Sequence, residues 1–559
     1  MVTKGGFLMK AKMSVLSLCL LLCMFFLGTA QAQEEGKWFD LSNFDPFGHA
    51  LDNVEECVPG LYLKGIIWND TGLFLNGRGR EGGGKAMRGN PNPPAAGRYN
   101  SNPGVPGGAL RKRNYNLEKI EWFTELEARY VPPAIPNLEF ISIWDFRYNA
   151  LYDWDHSFKH SFGATTSAAR RNLYPAVKEA DEYYNDTKRI WREFYIKWTP
   201  PGWIIQLGKQ QHIWAKVDTK VHDDLFPVDL RYGTAANPRL TQTDYEYVNI
   251  PTWMLSATKQ LGSHVYFQLI WNFDYERNYT YPAGYVWPSG SPSDIGINPA
   301  ALTTRMRADM PTWNVKDHEW ITRLGFNVGR WNGHLLYAYV WDKSLTGFRR
   351  AFRIVGGLPH YWVEPKPTRL HYAGIALDTN FWFLRRQWTM FFENYFLLNK
   401  YLPNLNERVI ALGLTNPLLN KYDGYSKRTM YQHAWGVESY FLKDFSFLVY
   451  WLNISVLGRD GGIPAPQPAS PKGYLNGFFA PALTWRPPQF EDRFFIQWIN
   501  MIVPFERLSA KELFSTGYSF SNYLSATVTF HTFWGEPVNA IWGPLNDRHY
   551  VEFKVRYEF

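Results

Sequence analysis

Residues 549–559 read H-Y-V-E-F-K-V-R-Y-E-F, and this stretch constrains the chain more than any other. Val551, Phe553, Val555, Tyr557 and Phe559 fall on one side, and Glu552, Lys554, Arg556 and Glu558 on the other. A period of two belongs to a strand, here with one apolar and one ionisable face. Such a strand can cover a soluble core. It can also turn its apolar face to lipid while the ionisable face lines a wet lumen.

Aromatic content decides between the two. The chain holds 25 Trp, 34 Tyr and 39 Phe, yet its mean hydropathy is only -0.34. So many rings at negative hydropathy fit poorly in one compact core. They fit strands with a greasy lipid face, a polar inner face and amphipathic rings at the headgroup level. Beyond the amino terminus no apolar run approaches the length of a spanning helix.

Residues 1–32 have the make-up of a cleaved secretion signal. Lys4, Lys10 and Lys12 precede an apolar run from Val15 to Leu27, and Ala30-Gln31-Ala32 supplies the small-residue processing pattern. Cys23 lacks the small residues that precede a lipoprotein cleavage site. Cleavage before Gln33 leaves Cys57 alone, so no intrachain disulfide is expected. It also removes three lysines from a formal charge of +8. No sustained basic stretch follows, so nucleic acid is not an expected partner. Residues 33–59 read as a polar periplasmic lead-in, and residues 60–559 as one outer-membrane barrel.

Along that barrel short and long connections alternate. Residues 77–114, rich in Gly, Pro, Asn and Arg, read as a long loop. Candidate strands around Trp122 and Trp144 are joined by P-P-A-I-P-N, those around Phe194 and Leu207 by T-P-P-G, and those around Leu255 and Leu269 by L-G-S. Short turns at one end and long loops at the other are the asymmetry of a transmembrane antiparallel β-barrel. Periodicity yields about seventeen candidates, whereas a barrel with both ends in the periplasm needs an even number. Sixteen or eighteen strands are therefore expected. The ambiguous stretches are residues 73–76, 348–354 and 506–521.

Across the strands the inward-facing set is expected to be unusually ionisable. It includes Glu121, Glu125, Glu127, Arg129, Asp145, Arg147, Arg192, Lys209 and Arg323. In a soluble core such a row carries a heavy desolvation cost. In a wet lumen it either sets the field felt by a solute or pairs across strands and stiffens the wall. The densest polar stretch, residues 206–231, adds Trp214, Asp218, His222, Asp223, Asp224, Asp229 and Arg231 at the expected mouth. His222 with nearby aspartates raises a metal site, but no closed ligand spacing appears, so no metal or other cofactor is expected. Neither G-x-S-x-G nor H-E-x-x-H occurs. A carboxylate pair such as Asp223 with Glu319 has no spacing to recommend it. Enzymatic activity is not expected.

Residues 206–231 also resemble the signature region of a family of bacterial outer-membrane proteins known as domain of unknown function 1302. In that family a strand with an L-x-x-G-[RK]-Q core runs into W-G-x-x-D and then D-x-x-x-P-x-D. The matching residues are Leu207, Gly208, Lys209, Gln210, Trp214, Asp218, Asp223, Pro227 and Asp229. Ala215 stands where the family prefers Gly, and Lys209 where Arg is common. The resemblance extends to the terminal strand and implies a large barrel that moves organic substrates. The final aromatic residue, Phe559, resembles the signal read by the outer-membrane assembly machinery.

The expectation is an outer-membrane channel or transporter for a small organic solute, hydrophobic ones included. Its partners would be outer-membrane lipid, the assembly machinery, the solute and a periplasmic protein. The alternatives are an anchoring barrel with a plugged lumen, or an outer-membrane hydrolase.

Overall fold

A computed structural model describes residues 48–75, 117–150, 190–212, 249–276, 311–343, 346–355, 358–403, 425–442, 444–457, 474–490, 492–504, 508–535 and 549–559. The expected signal segment, the expected loop at residues 77–114 and residues 214–231 lie outside the described residues. Within the expected lead-in, Gly48–Cys57 forms a helix, α1. Cys57 at its end is exposed and unbonded.

Among the described residues the remaining regular structure, apart from short 3-10 turns, is β. The strands are β1 (Leu61–Phe74), β2 (Leu117–Tyr130), β3 (Leu138–Asn149), β4 (Trp191–Trp198), β5 (Trp203–Gln210), β6 (Thr252–Gln260) and β7 (Val265–Asn272). Next come β8 (Glu319–Val328), β9 (Trp331–Trp341), β10 (Thr346–Val355), β11 (Leu358–Lys366), β12 (Arg369–Phe383) and β13 (Arg386–Pro403). The chain ends with β14 (Tyr425–Leu442), β15 (Phe445–Leu457), β16 (Tyr474–Trp485), β17 (Phe494–Val503), β18 (Ser509–Ser519), β19 (Leu524–Gly535) and β20 (Tyr550–Glu558).

Each strand pairs antiparallel with the next, except that β9 pairs with β12 and leaves β10–β11 as a separate hairpin. β20 returns to β1, with Arg556 opposite Trp68. The result is a closed antiparallel barrel of eighteen strands. At strand spacings near 4.8 Å and a tilt near 40°, such a ring is roughly 35 Å across at the backbone. Closure leaves no strand edge in hydrocarbon.

Of the three ambiguous stretches, residues 506–521 hold the missing wall strand, β18. Residues 348–354 belong to the separate hairpin, and residues 73–74 merely extend β1. The two-residue links between consecutive paired wall strands, among them Gly329-Arg330 and Leu384-Arg385, lie at the end where β1 begins and β20 finishes. This is the periplasmic end in outer-membrane barrels.

The outer face is greasy. Trp191, Phe194, Ile196, Trp198, Leu324 and Leu335 are all exposed, as are Phe392, Phe396, Phe514 and Phe553. Two sheets stacked face to face would have shut these rings inside. At the seam, Gly65 N–H donates to Phe559 O at 2.8 Å and Phe559 N–H to Gly65 O at 2.9 Å. A Cβ on Gly65 would lie 2.4 Å from the Phe559 ring, so glycine there lets the ring sit flat across the joint.

Candidate functional site

Among the described residues polar chemistry concentrates on the inner wall, and its densest part spans β1 to β4. Register puts Glu125 between Ile66 and Asp145, and Phe123 between Trp68 and Arg147. A bulge where β3 meets β4 breaks the alternation of β4. Ile143 pairs with Glu193 but Trp144 with Trp191, so Arg192 is the extra residue. Bulging brings two consecutive side chains to one face, and both Arg192 and Glu193 are buried.

Arg192 Nη1 then lies 2.7 Å from Glu125 Oε2, and its Nε lies 3.7 Å from Asp145 Oδ2. Arg147 approaches the same Asp145 oxygen at 4.0 Å. Toward the periplasm Lys64 meets Glu127 at 2.9 Å, while Glu139 receives Arg129 at 2.9 Å and Lys197 at 3.5 Å. Buried ions persist only when so paired.

A layered stack crosses the seam at the same height. Lys554 Nζ lies 4.4 Å from the Trp68 ring centre, and Trp68 stacks on Phe123 at 3.8 Å. The Arg147 guanidinium lies 5.0 Å beyond Phe123. Two cations thus cover the two faces of an aromatic pair drawn from four adjacent strands.

At the long-loop end a second buried group pins the exit of β9. Glu319 Oε1 accepts from Lys343 Nζ at 2.7 Å and from Trp341 N–H at 2.7 Å, and its Oε2 accepts from Asn272 at 2.6 Å. Asp342 beside it binds Lys400 at 2.6 Å. On the outer face of this rim, a 3-10 turn at Val315–Asp317 is tied down. Asp317 accepts from Thr312 N–H at 3.0 Å, and its own carbonyl accepts from Trp341 Nε1 at 2.7 Å. The Thr312 amide, helped by its hydroxyl and Lys316, holds the Asp317 carboxyl below its ordinary range.

Inner-face chemistry changes around the ring. From β20 through β8 it is ionic and polar, with Gln210, Ser256 and Gln268 continuing the row that the ion pairs begin. From β9 through β17 apolar side chains predominate, as with Leu336, Tyr372, Phe391, Tyr395 and Leu452, interrupted by buried His334 and Glu393; β18 and β19 turn polar again with Lys511, Ser515, Thr529 and His531. Tyr372 and Tyr395 stack there at 4.9 Å. The expected ionisable inner face is densest from β20 through β8 and is represented elsewhere by single buried groups such as His334, Glu393 and Lys511.

Of the residues expected at the lumen, Glu121, Glu125, Glu127, Arg129, Asp145 and Arg147 share the inner face of β2 and β3. Arg323 also faces inward, opposite Gln268, with its guanidinium 5.2 Å from the Tyr266 ring centre. Lys209 does not. It pairs with Phe194, an exposed outer-face residue, while Gly208 takes the inward position. Residue 208 has φ +143°, and a Cβ there would lie 2.3 Å from Phe194 O, so only glycine fits. Lys209 instead reaches along the outside to donate to Trp191 O at 2.8 Å. Trp214, Asp218, Asp223, Asp229 and Arg231 lie outside the described residues.

Sequence reading missed Lys343, Asp342 and Lys400, which no spacing links; only register brings them to one rim. Glu319 is committed to Lys343 and Trp341, not to a second carboxylate. Among the described residues no cluster of three or more His, Cys, Asp or Glu could hold a metal ion.

No family model matches the chain, and no curated protein matches it. The resemblance drawn from residues 206–231 is thus not supported at the level of a particular family. Among solved structures, the chain is similar to OccK11 (OpdR) of Pseudomonas aeruginosa at 7% identity and a TM-score of 0.41, covering 90% of this chain and 96% of that one. For OccAB3 of Acinetobacter baumannii the values are 6%, 0.42, 90% and 100%. For a BenF-like porin from Pseudomonas fluorescens Pf-5 they are 7%, 0.43, 90% and 98%. These likenesses assign no residue role, and the eighteen-strand barrel stands on its own hydrogen-bond ladder.

Proposed function

We propose that this barrel is a narrow, selective outer-membrane channel for small amphipathic organic solutes. The observation that carries the reading is the two-sided inner wall. One half offers paired carboxylates and cations around Arg192, and the other offers buried rings and aliphatic chains around Tyr372 and Tyr395. A solute with a charged or hydrogen-bonding end and an apolar body meets a complementary surface on each side. A wide, water-filled pore would instead leave its wall groups accessible, whereas Glu393, His334 and Lys511 are buried. Balanced ion pairs in the wall supply local fields for orienting a solute without a strong net preference for either sign.

Single-channel recording of the purified protein in planar bilayers tests this reading. Small discrete steps, reduced by millimolar amphipathic aromatic acids or amines but not by sugars of equal size, are expected. The same burial favours a second reading, an anchoring barrel with an occluded lumen. Silence at every voltage would select it.

A further inference from the structure

The tip of the β12–β13 hairpin departs from its neighbours at the periplasmic end in four ways that coincide. Its turn is Leu384-Arg385, with φ of +50° and +59°. Two consecutive left-handed residues define the tight hairpin turn that ordinarily demands Asn-Gly or Gly-Gly. Other turns at this end follow ordinary turn chemistry, with Pro200-Pro201-Gly202 after β4 and Gly329-Arg330 after β8. Here a leucine and an arginine are held in strain.

The pairing also runs out early. β9 stops at Trp331 opposite Thr379, whereas β12 continues to Phe383, paired only with Arg386 of β13. Among the described residues, 380–383 have no strand beside them on the β9 side. Elsewhere pairing is carried into the turn, as with Gln260 N–H to Gly202 O at 2.9 Å and Asn327 N–H to His264 O at 2.8 Å.

Three large apolar side chains are exposed at this tip: Trp382 is 68% exposed, Phe383 56% and Leu384 73%. Successive strand residues point to opposite faces, so one bilayer surface cannot cover both Trp382 and Phe383. A headgroup girdle uses the outer face alone. Arg385 and Arg386 add two exposed cations, and neither has an ion pair among the described residues.

We infer that this tip is a docking strand for a periplasmic protein. The unpaired edge of residues 380–383 accepts an extended segment by backbone hydrogen bonding, as exposed sheet edges do elsewhere. Apolar side chains on one face of that segment lie against Trp382, and carboxylates on its other face meet Arg386, which shares the face of Phe383. The partner segment is therefore an extended one that alternates apolar and acidic residues. Strain in the turn holds Leu384 at the apex, where an Asn-Gly turn would present no apolar group. The inference depends on which end faces the periplasm and is independent of whether the lumen conducts.

The test uses the full-length barrel in nanodiscs and a fluorescent eight-residue peptide alternating Glu with Val and Phe. Two control peptides carry Lys in place of Glu, or Pro at alternate positions so that the ladder cannot form. Saturable binding of the Glu peptide alone is expected. Trp382→Ser with Phe383→Ser should weaken it at least tenfold, and Leu384→Asn with Arg385→Gly should weaken it too. Heat-dependent gel mobility of each variant confirms a folded barrel. Equal binding to the variants, equal binding of the Pro peptide, or no binding overturns the inference. So does insertion of the tip into phosphatidylglycerol vesicles with no peptide binding, which would make it a lipid contact. Conductance, recorded separately on the same variants, should not change.

Discussion

The arc from β20 to β4 and the arc from β12 to β15 are built from the same alternation, yet they place their unusual chemistry on opposite sides of the wall. In the first arc the inner face has the ions and the Lys554–Trp68–Phe123–Arg147 stack, while the outer face is plainly greasy. In the second the inner face is mostly apolar, and polar groups appear outside. Asn394, His433 and Asn453 are direct cross-strand neighbours on that outer face. Tyr431 donates its hydroxyl to Asn394 Oδ1 just above them. Binary patterning therefore fixes only that two faces differ. Which face is polar, and how polar, is chosen sector by sector.

The sharpest way to break the contrast is to remove a buried cation from the first arc. Arg192→Leu deprives Glu125 and Asp145 of the Arg192 guanidinium, and about 3–5 kcal/mol of stability should be lost. Urea titration followed by gel mobility would measure it. The matching change in the second arc, Tyr395→Leu, removes a ring stack but strands no charge, so a loss of only about 1–2 kcal/mol is expected. If the two variants fell equally, the ionic and apolar arcs would not differ in energetic kind.

Removing strain should act in the other direction. Leu384→Asn with Arg385→Gly is expected to raise the midpoint of thermal unfolding, from relief of about 1–3 kcal/mol. The smallest effect concerns the rim outside the wall. Because the Asp317 carboxyl is held below its unfolded value of 3.8, its contribution is present above that pH and is lost as the pH falls through the lower folded value. Trp313 fluorescence should therefore change only below about pH 4, and Asp317→Asn should abolish that change.

The barrel itself was legible because most strands show one face that alternates cleanly, as in residues 549–559. β18 escaped notice for a physical reason. Its outer face includes Glu512, which breaks the greasy pattern, and the carboxylate is satisfied by Trp498 Nε1 at 2.6 Å and Thr532 Oγ1 at 3.3 Å from adjacent strands. No local window contains those partners. The ionic cluster was half legible. Glu125, Asp145, Arg147 and Arg192 are expected inward from period two, but the bulge that brings Glu193 to the same face beside Arg192 depends on how β3 and β4 meet. Lys209 failed by the same route, since one register step exchanges the faces of a strand.

The joint between Gly65 and Phe559 has a consequence for assembly. Its two halves belong to β1 and β20, the first and last strands of the sheet, so the ring stays an open, curved ribbon until β20 meets β1. Before that moment both margins need shelter from hydrocarbon, and afterwards neither does. Widening residue 65 with Gly65→Val should thus slow completion of the ring more than it weakens the finished wall, a delay visible as lingering protease sensitivity during refolding.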